Sequence, residues 1–127
     1  MKVKVSELVG VQLDLSVALA IGGRITRSQD AQICLNGEHM LCGEKNKRHS
    51  RYVYSPSTNW EQCGSLIEFY SIGFKAYPTL NGAEWEAYSA PEDTYYSGKS
   101  HSHLIAACRC IVNSKYGHEV ELPDDLV

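Results

Sequence analysis

HLIAACRCIVNSKY, residues 103–116, is the stretch of sequence that gives the longest of the predicted helices. Its apolar residues recur at helical spacing, and Gly117 follows as a C-terminal stop signal. The residues expected on the buried arc are Leu104, Ile105, Cys108, Ile111 and Val112. Arg109 lies at the border of that arc, whereas His103 and Cys110 are expected to point away from it. The pattern therefore predicts an amphipathic helix with Arg109 at its edge.

Two further helices are predicted upstream. Apolar spacing indicates a first helix over about Val11–Ile21, which the glycine pair Gly22-Gly23 ends. A second begins after Thr58, because the Thr58 hydroxyl and the Glu61 carboxylate form the two halves of a capping box. Its expected apolar face consists of Trp60, Cys63, Leu66, Ile67 and Tyr70.

Strand signals separate these helices. The candidate strands are Lys2–Val5, Gln32–Leu35, Met40–Leu41, Arg51–Tyr54, Phe74–Tyr77 and Glu84–Tyr88. Asn36-Gly37 and Asn81-Gly82 indicate hairpin turns, and residues Ala90–Ser100 are interpreted as a loop. This order predicts an α+β domain, an antiparallel sheet of about four to five strands packed by about three helices.

Composition limits the class of protein. The chain has 127 residues, 43% of them hydrophobic, and a net charge of −3. This length predicts one domain over residues 1–127. The negative charge argues against nucleic-acid binding, and the basic run Lys45–Arg51 is interpreted as a solvated loop. No stretch has the roughly 20 apolar residues of a membrane span, and no signal peptide is recognised, so we expect a cytoplasmic protein.

Cysteine and histidine spacing does not favour a metal site. Five cysteines form no regular framework, so we expect reduced thiols. His101 and His103, like Cys108 and Cys110, are two residues apart and would diverge on a helix. The sequence also lacks a nucleophile elbow and a glycine-rich phosphate loop, so we predict a non-enzymatic protein with no catalytic residue, metal or cofactor.

The segment from Tyr54 to Trp60 is the first candidate binding site. It joins a strand to a helix, where free backbone amides and the positive end of the helix dipole favour an anion. We interpret Tyr54, Ser55 and Ser57 as ligand contacts, with Thr58 and Trp60 completing the site. The alternative for Thr58 and Trp60 is structural: Thr58 fixes the turn, and Trp60 anchors the second helix in the core.

Arg109 is the second candidate, in line with Ser102 one repeat earlier on the third helix. Its guanidinium could reach a ligand in the same cleft as the Tyr54–Thr58 turn. Alternatively, Arg109 pairs with a carboxylate such as Asp14. The sequence leaves both possibilities open.

Three blocks of the sequence resemble a known family. They comprise Glu7-Leu8, Gly10, Leu13-Asp14 and Val17-Ala18, then Tyr54–Trp60, then Leu104–Cys110, Ser114–Gly117 and Val120–Pro123. Together they resemble the NinX-type proteins of tailed phages and prophages. More distantly they resemble the phage ABA-sandwich domain, which implies a helix-sheet-helix sandwich. The resemblance implies a small accessory protein in the cytoplasm of an infected bacterium, with no settled biochemical activity. Residues Arg24–Ser50 are longer than in such proteins.

Two functional hypotheses follow. The first is a binding protein for a nucleotide-derived small molecule, which in a phage would counter a host defence signal. The alternative is an interaction module that binds a host or phage protein without a small ligand. We also expect a homo-oligomer, because aromatic and histidine residues in the loop Glu92–His103 would otherwise be exposed.

Overall fold

The computed structural model describes residues 1–43 and 53–126. In those residues the helices are α1 (Gly10–Ala20), α2 (Trp60–Phe69) and α3 (His103–Tyr116). The strands are β1 (Lys2–Lys4), β2 (Arg24–Arg27), β3 (Gln32–Leu35), β4 (Glu38–Cys42), β5 (Val53–Tyr54), β6 (Gly73–Thr79), β7 (Gly82–Ser89), β8 (Tyr96–Ser100) and β9 (Glu119–Glu121). The basic run Lys45–Arg51 lies outside the described residues, as does the beginning of the predicted strand Arg51–Tyr54.

The predicted α+β class is confirmed, and the strands are divided among three sheets. Strand β1 pairs with β9 in an antiparallel ribbon. Strands β2-β3-β4-β5 form a mixed sheet, in which only β4 and β5 are parallel. Strands β6-β7-β8 form an antiparallel sheet. The strands therefore form three sheets rather than the one sheet predicted, and α3 contacts elements from two of them, β7 and β8 of one and β9 of another, together with α1 and α2.

Helix α3 has the predicted bounds and lies at the centre of the core. The Ser102 hydroxyl accepts a hydrogen bond from the Ile105 amide, and Gly117 ends the helix with a φ of 80°. Cys110, however, is buried rather than pointing away, and its Sγ lies 3.6 Å from the Tyr96 carbonyl oxygen. The prediction was wrong because it assumed one buried face, whereas strand β8 covers the second.

Helix α1 lies one residue before its predicted position, and buried side chains surround its middle. The residues Leu13 to Ala18 are all buried. The chain then leaves the helix through Gly22, which has a φ of 104°, and the Gly23 amide donates to the Ala18 carbonyl over 2.8 Å. The glycine pair therefore ends the helix as the sequence predicted.

Both predicted hairpins are present. Strands β3 and β4 pair across Asn36-Gly37, and both turn residues have positive φ angles, 53° and 80°. Strands β6 and β7 pair from Gly73–Tyr88 to Thr79–Gly82. The predicted loop over Ala90–Ser100 is wrong in its second half, because residues 96–100 extend along β7 as strand β8. No local turn signal revealed this pairing.

The predicted capping box of α2 is also wrong. The N-cap is Asn59, whose side-chain oxygen accepts from the Gln62 amide over 3.0 Å, while Thr58 bonds to Ser55 instead. Trp60 does not anchor the core, since 61% of its surface is exposed. The helix begins one residue later than the capping pattern indicated, which turns Trp60 outward.

Within the described residues, no helix combines the length and apolarity required to cross a membrane.

Glycine at position 98 is required for α3 to approach β8. A Cβ atom there would lie 2.4 Å from the Ala106 carbonyl oxygen and 2.5 Å from the Cys110 nitrogen. We expect Gly98→Ala to lower the free energy of unfolding by about 3 kcal/mol, since backbone atoms must move. Gly64→Ala is the matched control, because nothing lies within 4 Å of its Cβ position. In chemical denaturation that helical substitution should be stabilising by about 0.5–1 kcal/mol. Equal losses in both variants would contradict the close-approach argument.

Candidate functional site

The turn from Tyr54 to Thr58 is attached to a buried carboxylate on α1. The Ser57 amide donates to Asp14 Oδ1 over 2.9 Å, and the Ser55 hydroxyl donates to Asp14 Oδ2 over 3.3 Å. Ser55 also shares a hydrogen bond of 2.7 Å with the Thr58 hydroxyl. Asp14 is fully buried. A carboxylate can be accommodated there because the turn supplies the donors that water would otherwise supply.

A second side chain holds the start of the same turn. Gln62 accepts from the Ser55 amide over 2.7 Å and donates to the Val53 carbonyl over 2.8 Å. Tyr54 is buried, and burial raises the pKa of its phenol well above the ordinary value. These contacts give Tyr54, Ser55 and Ser57 structural roles. Ligand binding by this turn stays a prediction.

The other predicted site residues, Trp60, Ser102 and Arg109, make their described contacts with other parts of the protein than this turn. Ser102 caps α3. Trp60 lies at the start of α2 near the start of α3, with its ring centroid 6.0 Å from that of His103. His103 also contacts Trp85 at 3.9 Å and Phe74 at 5.3 Å. Trp60 is thus the exposed member of an aromatic cluster around His103 whose other rings, Phe74 and Trp85, are half-buried.

Arg109 bonds to backbone carbonyls rather than to Asp14. Its Nε donates to the Leu8 carbonyl over 3.1 Å, and its Nη1 donates to the Lys99 carbonyl over 2.6 Å. Partial burial lowers the pKa of the guanidinium, and Glu84 opposes that shift. A guanidinium has five N–H groups, so these two bonds orient the side chain without using all its donors.

Arg109 lines a cavity of about 470 Å³ between β8, α3 and the β1–β9 ribbon. Other polar residues of the wall are Lys4, Ser6, Ser97, Lys99, Asn113 and His118. Tyr95 supplies an aromatic ring, and Glu119 supplies one carboxylate. We call this space the Arg109 cavity. Of the predicted site residues, Arg109 alone is in its wall.

The wall of the Arg109 cavity is positively charged although the chain as a whole is negative. Lys4, Lys99 and Arg109 face one carboxylate, that of Glu119. The Lys99 ammonium lies 5.7 Å from the centre of the Tyr77 ring on the outer face of the sheet, so the fixed cations nearest the cavity are Lys4 and Arg109. Asn113 positions the wall, since its side-chain oxygen accepts from the Ser97 amide over 3.3 Å.

Comparison with known sequences identifies the family. Residues 4–115 match the family described as bacteriophage P22 NinX. The chain belongs to the NinX family. The matched segment includes Asp14, the Tyr54–Trp60 turn and Arg109. Comparison with curated proteins gives no significant match.

Sequence reasoning missed most of the cavity wall in this NinX-family chain. Lys4 lies near one end of the chain and Glu119 near the other, and the pairing of β1 with β9 brings them opposite each other. One signal was present. Lys2-Val3-Lys4 and Glu119-Val120-Glu121 alternate with complementary charges, as paired strands often do.

The thiols of the protein are mostly buried. Cys42, Cys63, Cys108 and Cys110 are buried, and Cys34 is half-buried. Burial raises the pKa of both Cys42 and Cys110 to about 12, so these thiols are protonated at neutral pH. In the part of the chain that the structure describes, no group of three histidine, cysteine or acidic residues could hold a metal ion.

The two hydrogen bonds from the turn to Asp14 should contribute strongly to the free energy of unfolding. Asp14→Ala leaves the Ser57 amide and the Ser55 hydroxyl without this acceptor, so we expect a loss of about 3 kcal/mol in the free energy of unfolding. Asp14→Asn should cost less, because the amide oxygen can still accept from Ser57. Asp30→Ala is the control: its exposed pair with Arg27 spans 3.6 Å and should contribute less than about 0.5 kcal/mol. Similar urea midpoints for Asp14→Ala and Asp30→Ala would contradict this assignment.

Proposed function

We propose that this NinX-family protein binds a phosphate-bearing, nucleotide-derived small molecule in the Arg109 cavity. The observation that carries the proposal is the cavity itself, a concave space with an oriented guanidinium and a second cation in its wall. Its volume of about 470 Å³ is within the range of small-molecule sites. Arg109 is thus central to the proposed site, as it was to the site predicted from the sequence. Its proposed neighbours are the other residues of the cavity wall rather than the Tyr54–Thr58 turn.

Charge favours an anion. The Arg109 guanidinium is held in place by two carbonyl groups, so little side-chain entropy remains to be lost when a ligand binds. Arginine and lysine together can contact the oxygens of one phosphate group with charge-assisted hydrogen bonds. Lys4 of β1, whose strand partner is Glu119, also lines the cavity and supplies the second cation.

The uncharged groups favour a nucleotide over a bare phosphate. Tyr95 lies at the cavity with half of its surface exposed, and its ring is held nearly parallel to that of Tyr88, at 13° and 6.1 Å. A fixed aromatic face is a suitable stacking surface for a base. Ser6 and Ser97 supply hydroxyl groups for a sugar. These groups support a ligand that combines phosphate, sugar and ring.

A phage-encoded protein with such a site would act in the cytoplasm of the infected host. Because neither the sequence nor the cavity has the features of a catalytic centre, we propose sequestration rather than conversion of the ligand. Removal of a nucleotide signal from solution would weaken a host defence that depends on it.

A second candidate function is a protein-interaction module. Exposed Trp60, which lies beside the half-buried rings of Phe74 and Trp85 around His103, favours it, since exposed aromatic groups are typical of protein interfaces. The experiments below separate the two functions, because only the first requires a small ligand to stabilise the purified protein.

Ligand binding should be detected by thermal shift with a panel of mononucleotides, dinucleotides and cyclic nucleotides, with inorganic phosphate alongside. A ligand present at 100 times its Kd adds about 2.7 kcal/mol of stability, which raises the Tm by several degrees in a chain of this size. If no member of the panel shifts the Tm, the proposal is wrong.

Lys4→Met tests the location of the site. We expect it to weaken binding of the selected nucleotide about tenfold, because one charge-assisted contact is lost. Lys2→Met is the matched control: Lys2 lies on the same strand opposite Glu121, as Lys4 lies opposite Glu119, but outside the cavity wall. Calorimetry that shows equal affinity for the two variants would place the ligand elsewhere. Arg109→Ala is less informative, because it also removes two hydrogen bonds to the backbone.

A further inference from the structure

Strand β6 is an exposed edge of the three-stranded sheet. The strand order is β6-β7-β8, so β6 pairs with β7 on one side. Residues Lys75 to Thr79 are all exposed. Among residues 1–43 and 53–126, no backbone hydrogen bond from β6 outside the β6–β7 ladder is present. A seven-residue edge of this kind is a template for pairing with another strand.

Proline at position 78 shows which backbone groups face outward. Pro78 pairs with Ala83 of β7, and a proline in an edge strand turns its nitrogen away from the ladder because it has no N–H to donate. Backbone groups alternate along a strand, so Phe74 and Ala76 face the same way as Pro78. The outward edge of β6 therefore offers the N–H and C=O groups of Phe74 and Ala76 and the C=O of Pro78.

We propose that two copies of this chain dimerise by antiparallel pairing of β6 with β6, about a two-fold axis at Ala76. In this register Ala76 pairs with Ala76 of the second copy, and the Phe74 N–H donates to the Pro78 carbonyl of that copy. Because Pro78 has no N–H, the Phe74 carbonyl receives no hydrogen bond, so the outward groups form about four of the six bonds of a full ladder: two between the Ala76 residues and one from each Phe74 N–H. The product is a continuous six-stranded sheet.

Side-chain chemistry favours this register. It places Lys75 opposite Tyr77 of the second copy, where a cation–π contact replaces repulsion. It also places the Phe74 ring opposite the pyrrolidine ring of Pro78. The pairing is therefore self-complementary, as a two-fold interface must be.

The neighbouring register is disfavoured. Centring the axis on Lys75 would satisfy the same outward groups of Phe74 and Ala76, but it would place two Lys75 side chains directly opposite each other. Like charges in that position destabilise a strand pair. Lys75 therefore disfavours the register centred on it, and Lys75 and Pro78 are residues of the kind that protect an edge strand against open-ended pairing.

Two exposed apolar side chains also favour a second copy of the chain as the partner of β6. Leu80 is fully exposed and Phe69 is 80% exposed, the two highest values among the large apolar residues of the described chain. Phe69 precedes β6 and Leu80 follows it, so they lie at opposite ends of the strand. Antiparallel pairing brings Leu80 of one copy to the end where Phe69 of the other lies. This surface differs from the loop Glu92–His103 through which the sequence predicted an oligomer.

Ala76→Pro tests the proposal in the full-length chain. It removes the central outward N–H while leaving the ladder to β7 intact, because position 76 has the same orientation as Pro78. Ala76→Thr is the matched control, since it keeps the N–H and suits a strand. Sedimentation equilibrium from 1 to 100 µM should give the wild type and Ala76→Thr twice the chain mass of 14.1 kDa at the upper end. Ala76→Pro should remain at the chain mass with an unchanged circular dichroism spectrum.

Three results would overturn the proposal. One is a monomeric wild type at 100 µM, and another is a dimer that survives Ala76→Pro, which would place the interface elsewhere. The third is dimer loss in Ala76→Thr as well as in Ala76→Pro. If the Ala76→Pro variant does not fold, the cross-linking of Ala76→Cys and Thr79→Cys tests the interface instead.

Cross-linking tests the register directly. In a Cys34→Ser background, Ala76→Cys should form an intermolecular disulfide with oxidised glutathione, because facing Cα atoms in a hydrogen-bonded antiparallel pair lie about 5.5 Å apart. Thr79→Cys is the control, since its two copies would lie roughly 20 Å apart at about 3.3 Å per residue. Equal or preferential cross-linking of Thr79→Cys on a non-reducing gel would refute the Ala76 axis. The result is independent of ligand binding, which concerns the opposite edge of the sheet.

Discussion

The close approach of β8 to α3 at Gly98 is the contact on which the site depends. A side chain at position 98 would meet the backbone of α3, so only glycine allows the strand to lie so near. At this distance Arg109 reaches the Lys99 carbonyl and Asn113 reaches the Ser97 amide. These two side chains, one turn apart on α3, hold the β8 edge. The Arg109 cavity lies between that edge and the β1–β9 ribbon.

A second constraint links α1 to the chain before α2. The carboxylate of Asp14 is buried, and a buried charge requires donors on the protein. The Ser57 amide and the Ser55 hydroxyl supply them. The hydroxyl and amide groups for which this turn was predicted to bind a ligand therefore donate hydrogen bonds to Asp14 within the protein. By contrast, the hydrogen bonds that orient Arg109 go to neutral carbonyl groups, and the carboxylate that acts on its charge is that of Glu84.

Local patterns predicted the elements whose cause is local. The bounds of α3, the turn at Asn36-Gly37 and the strand Gln32–Leu35 all follow from periodicity and turn chemistry. Errors arose where distant packing decides. Cys110 is buried because β8 covers a second face of α3, and Trp60 is exposed because α2 begins after an Asn59 cap. Neither the second face nor the choice between two adjacent caps is contained in helical spacing.

By itself the sequence determined the α+β class, the NinX resemblance, the three helices and the border position of Arg109, because each depends on residues close together in the chain or on a matched pattern. Only the tertiary structure decided what surrounds Arg109. Lys4 and His118 are more than 100 positions apart, and they share the cavity wall through the pairing of β1 with β9. The open edge at β6 was likewise settled by sheet order, which local propensity does not specify.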